Sequence, residues 1–197
     1  MEKIMSTLCC RGDVTDVAQQ PSSAEISPGN SQNSLTTATY ETTASFTLEG
    51  PRECKVLDIY DGDTFTVATH IPGQGNCRVV CRLNGVDTAE MKNSPSESRR
   101  DELKQLAYLA RNKVAEHLTD LPPDFDPCCQ LPRKQLREIC GQSHKTVMVH
   151  FYDMDKYGRC LVEVPLGDTS LSEILIDSRL ALRYTGGTKT DIRSLLA

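Results

Sequence analysis

Three features of the 197-residue sequence predict a mainly β domain with a few helices. Five short segments rich in apolar and β-branched side chains, separated by turn residues, predict five strands. A long stretch with apolar residues three and four positions apart predicts a helix between the third and fourth strands, and a second helix follows the fifth. This connectivity is that of a five-stranded OB-type barrel with two to three packed helices, in the α+β class.

The first three strands are predicted near the start of the folded part. Residues 54–59 and 64–68 carry strand-forming side chains, and the turn residues of 61–63 separate them. A loop rich in Pro and Gly at 72–76 precedes the third strand, 77–83.

The periodicity then changes to that of a helix. From Ser94 to Thr119 the apolar residues follow three-and-four spacing, and Ser94 or Ser98 is expected to cap the first turn. Several prolines break the pattern over 120–143, which predicts an insertion carrying a short helix at 133–139.

Two further strands, 145–152 and 159–165, are predicted after the insertion. Residues 170–173 read Ser-Leu-Ser-Glu, a capping box that opens a second helix, with Leu182 expected on its inward face. Residues 191–196 leave room for only a short terminal helix.

Most of the net negative charge lies in the N-terminal quarter of the chain. A net charge of −5 argues against a protein that coats nucleic acid through bulk electrostatics. Residues 1–50 hold two basic and six acidic residues, whereas residues 51–197 hold 20 basic and 21 acidic ones. We predict a disordered, acidic, Ser/Thr-rich tail over 1–50 and a nearly neutral folded domain over 51–197.

The nine cysteines and the lack of an apolar leader favour a reducing, intracellular location, most simply the cytoplasm. No run reaches the roughly 18 apolar residues of a membrane span, and we expect a monomer. Cys9 and Cys10 suggest weak lipid anchoring, but Glu2 stands where myristoylation needs glycine, so a plain tail is favoured.

The insertion contains a candidate zinc site. It would use Cys128, Cys129, Cys140 and His144. Their spacing departs from the usual pairs of ligands two to four residues apart, so zinc is not favoured and we expect free or buried thiols.

Three blocks, 59–64, 81–90 and 155–159, place charged side chains around the ends of predicted strands. The blocks supply hard oxygen donors of the type that Ca²⁺ or Mg²⁺ binds, and planar guanidiniums suited to phosphate. The residues are Asp63, Asp87 and Glu90, with Arg82 and Arg159. Together they form a set suited to phosphodiester hydrolysis.

Each block has a structural alternative. Residues 61–63 are compatible with a plain hairpin turn and 155–159 with a hairpin loop, while Arg82 and Asp87 are compatible with a structural ion pair. Three blocks with compatible chemistry favour a site over three separate coincidences.

In this order, DGDT at 61–64, RLxxVDTxE at 82–90 and DKYGR at 155–159 resemble the thermonuclease (staphylococcal nuclease-like) family. The resemblance covers roughly residues 52–187, although Ala89 stands where the family usually has proline. It implies a distorted OB barrel and Ca²⁺-dependent, sugar-non-specific cleavage of DNA and RNA to 3′-phosphate products.

The resemblance also implies a ligand set for the metal. Asp63 and Asp87 would bind Ca²⁺ through their carboxylates and Thr88 through its backbone carbonyl. Asp61 would not touch the metal but would support these ligands. Mg²⁺ or Mn²⁺ are alternatives for the same ligands.

The remaining roles implied by the resemblance concern the substrate. Glu90 would be the general base or orient the attacking water, and Arg82 and Arg159 would clamp the phosphate and stabilise the transition state. Tyr157 and Tyr184 would line the nucleotide pocket.

The alternative, from a different class, is a catalytically silent OB module that binds nucleic acid or a protein partner. Such a module would be expected to have lost some of the five charged residues of the three blocks. The chain carries all five.

Overall fold

Five strands close into a barrel in the computed structural model, which describes residues 39, 43, 46–92, 97–187 and 191–196. The strands in chain order are β1 (Gly50–Ile59), β2 (Thr64–Ile71), β3 (Gly75–Leu83), β4 (Val86–Thr88), β5 (Val147–Met154), β6 (Cys160–Glu163), β7 (Pro165–Leu166), β8 (Thr169–Ser170) and β9 (Ala181–Arg183). The barrel order is β1-β2-β3-β6-β5, and β5 pairs back onto β1. Almost all of the predicted tail, with Cys9 and Cys10, lies outside the described residues.

The pairing within the barrel is antiparallel except between β3 and β6, which run parallel. Alternate side chains of each strand point inward, as the period of two requires. Phe65, Val67, Val149 and Val162 are each no more than 1% exposed and fill the interior. The predicted α+β class with a five-stranded OB-type barrel is therefore confirmed.

Three helices accompany the barrel. They are α1 (Arg100–Leu118), α2 (Arg133–Gln142) and α3 (Leu171–Asp177), and a short 3₁₀ helix (Ile192–Leu196) follows near the C-terminus. Residues 45–197 form one unit of the chain and residues 1–44 another. Among the described residues, none of the helices combines the length and the apolar character that crossing a bilayer requires.

The start of α1 differs from the prediction. The residue before the first turn is Arg99, with a φ of 60°, and no side chain caps the helix. Ser98 is therefore not the cap, and Ser94 lies outside the described residues. The chain turns at Arg99 immediately before the helix, and the Arg99 guanidinium bonds Glu102 of the first turn at 2.6 and 3.0 Å.

The start of α3 matches its sequence signature. The Ser170 hydroxyl accepts a hydrogen bond from the Glu173 amide at 3.3 Å, so the predicted cap is confirmed. The prediction that Leu182 lies on this helix is wrong, because α3 ends at Asp177 and Arg179 adopts a φ of 55°. The chain turns there, and Leu182 belongs to β9, which pairs with β4.

The insertion is anchored to the barrel through α2. Leu136 and Cys140 are fully buried in the core, so this helix covers apolar surface rather than standing in solvent. On the neighbouring face of α2, Arg133 and Arg137 both donate to the Asp58 carboxylate of β1.

Candidate functional site

The turn between β1 and β2 is built by Asp61. Its carboxylate accepts hydrogen bonds from the amides of Asp63, at 3.2 Å, and Thr64, at 2.8 Å, which is the turn that Asp favours. Gly62 is required by close packing, because a Cβ there would lie 2.6 Å from the Cβ of Ala110 and 2.9 Å from Cγ2 of Thr88. The turn is thus pressed against α1 and β4, and Asp63 is presented from a rigid support.

Arg82, near the end of β3, joins the two carboxylates that the sequence singled out. Its Nη1 lies 2.6 Å from Oδ1 of Asp63, and its Nη2 lies 3.3 Å from Oδ1 of Asp87. Nη2 also donates to the carbonyl of Val86 at 3.3 Å. The side chains of the two acids are only 5% and 4% exposed, so this is a largely buried ion network.

Burial and neighbouring charges shift the pKa values of Arg82 and Asp61. Burial by itself lowers the pKa of Arg82, but the charges and hydrogen bonds of Asp63 and Asp87 outweigh it, so the pKa is raised. Burial, together with the charges of Asp63 and Glu90, raises the pKa of Asp61 to about 7. The carboxylates therefore lie close enough for their charges to interact.

Asp63 is held by two further contacts besides Arg82. Its Oδ1 accepts from the Thr64 hydroxyl at 2.9 Å, and its Oδ2 accepts from the Thr88 amide at 3.2 Å. The Thr64 hydroxyl in turn accepts from Nη1 of Arg159 at 3.3 Å. Thr64 thus connects the first block of the sequence to the third, a role that its place in the DGDT motif did not reveal.

Arg159 is positioned by the loop that precedes β6. Its Nε donates to Oδ2 of Asp155 at 2.7 Å, and its amide donates to Oδ1 of the same carboxylate at 2.9 Å. Gly158 has a φ of 79°, the left-handed conformation that lets this tight loop close. Asp155 is therefore the residue that orients Arg159, a role that its place in the DKYGR motif does not reveal.

Residues of the second and third blocks line one cavity of about 780 Å³. Six of the nine residues singled out from the sequence line it: Arg82, Asp87, Glu90, Tyr157, Arg159 and Tyr184. The other three, Asp61, Asp63 and Thr88, are buried beside it at 5%, 4% and 2% exposure. The cavity thus combines two guanidiniums, carboxylates and two phenol rings.

The two tyrosines differ in their surroundings. The ring of Tyr157 is 73% exposed, and the cations of Lys156 and Arg159 lie 5.1 and 5.5 Å from its centroid. Tyr184 is half-buried and donates its hydroxyl to the carbonyl of Gly187 at 3.1 Å. A planar group entering the cavity would meet aromatic faces as well as charge.

The donor set is suited to a hard cation rather than a soft one. Asp63 and Asp87 offer carboxylate oxygens, and the buried hydroxyl of Thr88 has no hydrogen-bond partner among the described residues. As they stand, no three His, Cys, Asp or Glu side chains in the described part of the chain form a group that would hold a metal ion. The oxygens of Asp63, Asp87 and Thr88 therefore suit a hard cation by their chemistry, although Oδ1 of Asp63 and Oδ1 of Asp87 are bonded to Arg82 in this structure.

The cysteines of the insertion lie in different environments. Cys140 is buried, and burial raises the pKa of its thiol to about 11, whereas Cys128 and His144 are exposed. Cys128, Cys129 and Cys140 are free thiols.

Comparison with known proteins adds no family. No protein-family model matches the chain, and no curated protein matches it significantly. The class of the protein is therefore defined by its own fold and site: a five-stranded OB-type barrel with a cavity of paired arginines and carboxylates on its surface.

Proposed function

We propose that this chain is a Ca²⁺-dependent endonuclease that hydrolyses the phosphodiester bonds of DNA and RNA. The observation that carries the proposal is the meeting of Arg82, Arg159 and Glu90 at one cavity, although they come from separate parts of the sequence. Two guanidiniums beside a carboxylate match the needs of a phosphoryl group under attack by water.

The arginines bind the phosphate in this proposal. Displacement at phosphorus builds negative charge on the non-bridging oxygens, and a preorganised guanidinium stabilises that charge. Arg159 is held by Asp155 at 2.7 Å, and Arg82 by Asp63 at 2.6 Å, so both are fixed before substrate arrives. Little reorganisation of Arg159 is then required during the reaction, whereas the Asp63 carboxylate that holds Arg82 also belongs to the proposed cation site.

Glu90 handles the attacking water. It lines the cavity and is exposed to solvent, next to the buried Ala89. The water oxygen forms a bond to phosphorus while its proton passes to the Glu90 carboxylate. The bond to the 5′ oxygen breaks, that oxygen takes a proton from solvent, and the products carry a 3′-phosphate and a 5′-hydroxyl.

The carboxylates of Asp63 and Asp87 and the backbone carbonyl of Thr88 would hold Ca²⁺, with Mg²⁺ or Mn²⁺ as alternatives. When bound, the cation supplies positive charge that polarises the phosphate and its attacking water. Asp61 supports the arrangement through the two amide hydrogen bonds that shape the turn.

The proposal also makes nucleic-acid binding dependent on metal. Residues 51–197 are nearly neutral in charge, so contacts outside the cavity are expected to be weak and sensitive to salt. Without a cation the buried acids repel a phosphate, and substrate affinity should fall.

A cleavage assay tests the proposal. Supercoiled plasmid, a single-stranded DNA oligonucleotide and an RNA oligonucleotide are incubated with the full chain in Ca²⁺, Mg²⁺, Mn²⁺ or EDTA. We expect cleavage of all three with Ca²⁺, none with EDTA, and a loss of about 10² to 10⁴ in kcat for Glu90→Gln.

The matched control is Glu116→Gln, on the exposed surface of α1, where the same change should leave kcat unaltered. Absence of cleavage by the unaltered chain with every metal would overturn the proposal. Retained binding of the oligonucleotides under those conditions would instead support a silent OB module.

A further inference from the structure

The turn between β3 and β4 places an asparagine at the cavity. This turn consists of Asn84 and Gly85, and both residues line the cavity together with Tyr157 and Tyr184. Among the described residues that line it, Asn84 alone carries a carboxamide. A carboxamide offers a donor and an acceptor in one fixed plane, which neither a hydroxyl nor a charged side chain provides.

The backbone of this turn is held from three sides. The Asn84 amide donates to the carbonyl of Val162 at 2.8 Å, and its carbonyl accepts from the Ser172 hydroxyl at 3.2 Å. The carbonyl of Gly85 accepts from the Tyr184 amide at 2.9 Å. Strand β6, helix α3 and the segment after β9 therefore fix where the side chain of Asn84 starts.

The side chain itself is not used by the fold. It is exposed, and within the described part of the chain its amide group makes no hydrogen bond. The left-handed φ that favours Asn in turns belongs to Gly85, at 77°, and not to Asn84. A left-handed backbone therefore does not account for the carboxamide at this position.

We propose that Asn84 reads the base of the nucleotide bound in this cavity and favours adenine. The inference rests on the proposed nuclease function and specifies its substrate preference. An Asn side chain pairs with adenine through two hydrogen bonds, one to N7 and one from the N6 amino group. The aromatic rings of Tyr157 and Tyr184, which line the same cavity, supply faces against which a base can stack.

The test is a competition between substrates that differ at one base. Single-stranded deoxyoligonucleotides with adenine or cytosine at the single variable position next to the scissile bond are cleaved together by the full chain in Ca²⁺. The kcat/KM ratio is read from the products by mass spectrometry. We expect a ratio of at least about five in favour of adenine, the lower end of what a two-bond contact gives.

Two variants separate base reading from a structural role. Asn84→Asp keeps a turn-forming side chain of the same size but only accepts hydrogen bonds, so the preference should shift towards cytosine, whose N4 amino group donates. Asn84→Ala should bring the ratio close to one. The control is Asn76→Asp in β3, exposed and not part of the cavity, which should leave the ratio unchanged.

The outcomes distinguish this inference from the proposed function. Cleavage with a ratio near one in the unaltered chain, or a ratio that Asn84→Asp does not alter, overturns the role of Asn84 and leaves the nuclease intact. If nothing is cleaved, the proposed function fails. Calorimetric titration with dAMP and with dCMP in Ca²⁺ then tests whether the cavity prefers adenine. Equal affinities, or no binding of either, overturn it.

Discussion

Replacing Gly62 with alanine tests how the acidic turn is supported. The added Cβ would stand 2.6 Å from the Cβ of Ala110 on α1 and 2.9 Å from Cγ2 of Thr88 on β4. Carbon atoms prefer about 3.5 to 4.0 Å, so the overlap with Ala110 is about 1 Å. Neither neighbour is the far end of a flexible side chain, and relief requires movement of the helix or the turn.

The magnitude follows from two opposing effects. Glycine to alanine ordinarily stabilises a protein by about 0.4 to 1 kcal/mol, because the unfolded chain loses freedom. Forcing an extra carbon into a packed site costs about 1 to 3 kcal/mol and sometimes more. With two contacts below 3.0 Å at this position, we expect Gly62→Ala to lower the free energy of unfolding by about 2 kcal/mol.

The assay is urea unfolding of the metal-free chain, followed by far-ultraviolet circular dichroism. The control is Gly141→Ala within α2, where a Cβ meets nothing within 4 Å and the same change should stabilise by about 0.5 to 1 kcal/mol. Ala110→Gly removes the closest contact. The double variant Gly62→Ala/Ala110→Gly should therefore lose about 1 kcal/mol less free energy of unfolding than the sum of the losses of the two single variants.

Two results would refute the reasoning about Gly62. One is a Gly62→Ala variant as stable as the unaltered chain, which would mean that the turn moves freely. The other is strict additivity with Ala110→Gly, which would mean that the loss arises elsewhere than at the contact with α1.

Two further predictions concern buried charge. Burial raises the pKa of Asp58, but the hydrogen bonds of Arg133 and Arg137 outweigh it, so the net shift is downward. The charged Asp58 carboxylate therefore stabilises the fold fully above its unfolded pKa, near 3.9, and this stabilisation is lost as pH falls through its lower folded pKa. Urea midpoints measured between pH 6 and 2 should show the loss in the unaltered chain and not in Asp58→Asn. Arg82→Gln leaves two buried carboxylates without their guanidinium and should lower the free energy of unfolding of the metal-free chain by about 3 to 5 kcal/mol. Ca²⁺ should restore part of this loss. A urea midpoint in EDTA equal to that of the unaltered chain would contradict the prediction.

The barrel was predictable because its signals are local. Alternating apolar residues report a half-buried strand wherever they occur, and a capping box such as Ser170 to Glu173 reports a helix start from four residues. The cap of α1 was not predictable in this way. Arg99 adopts a left-handed φ, a backbone state that arginine rarely takes and that no sequence pattern announces.

The short strand β9 escaped prediction for a related reason. Three residues that contain Leu182 carry too little periodicity to distinguish a strand from the end of a helix. Their state is decided by pairing with β4, which lies almost 100 positions earlier in the chain. Long-range pairing of this kind follows from the fold and leaves no local signature.

The site shows the same division. Residue chemistry and motif order were enough to single out the carboxylates and the arginines, since each block is contiguous in the chain, whereas the tyrosines were implied only by the resemblance to a family. Tertiary structure decided which of them meet: Arg82 bonded to Asp63 and Asp87, Thr64 bridging to Arg159, and Asn84 at the cavity. The reason is physical, because a contact between residues as far apart as Thr64 and Arg159 depends on the closure of the barrel and not on either neighbourhood.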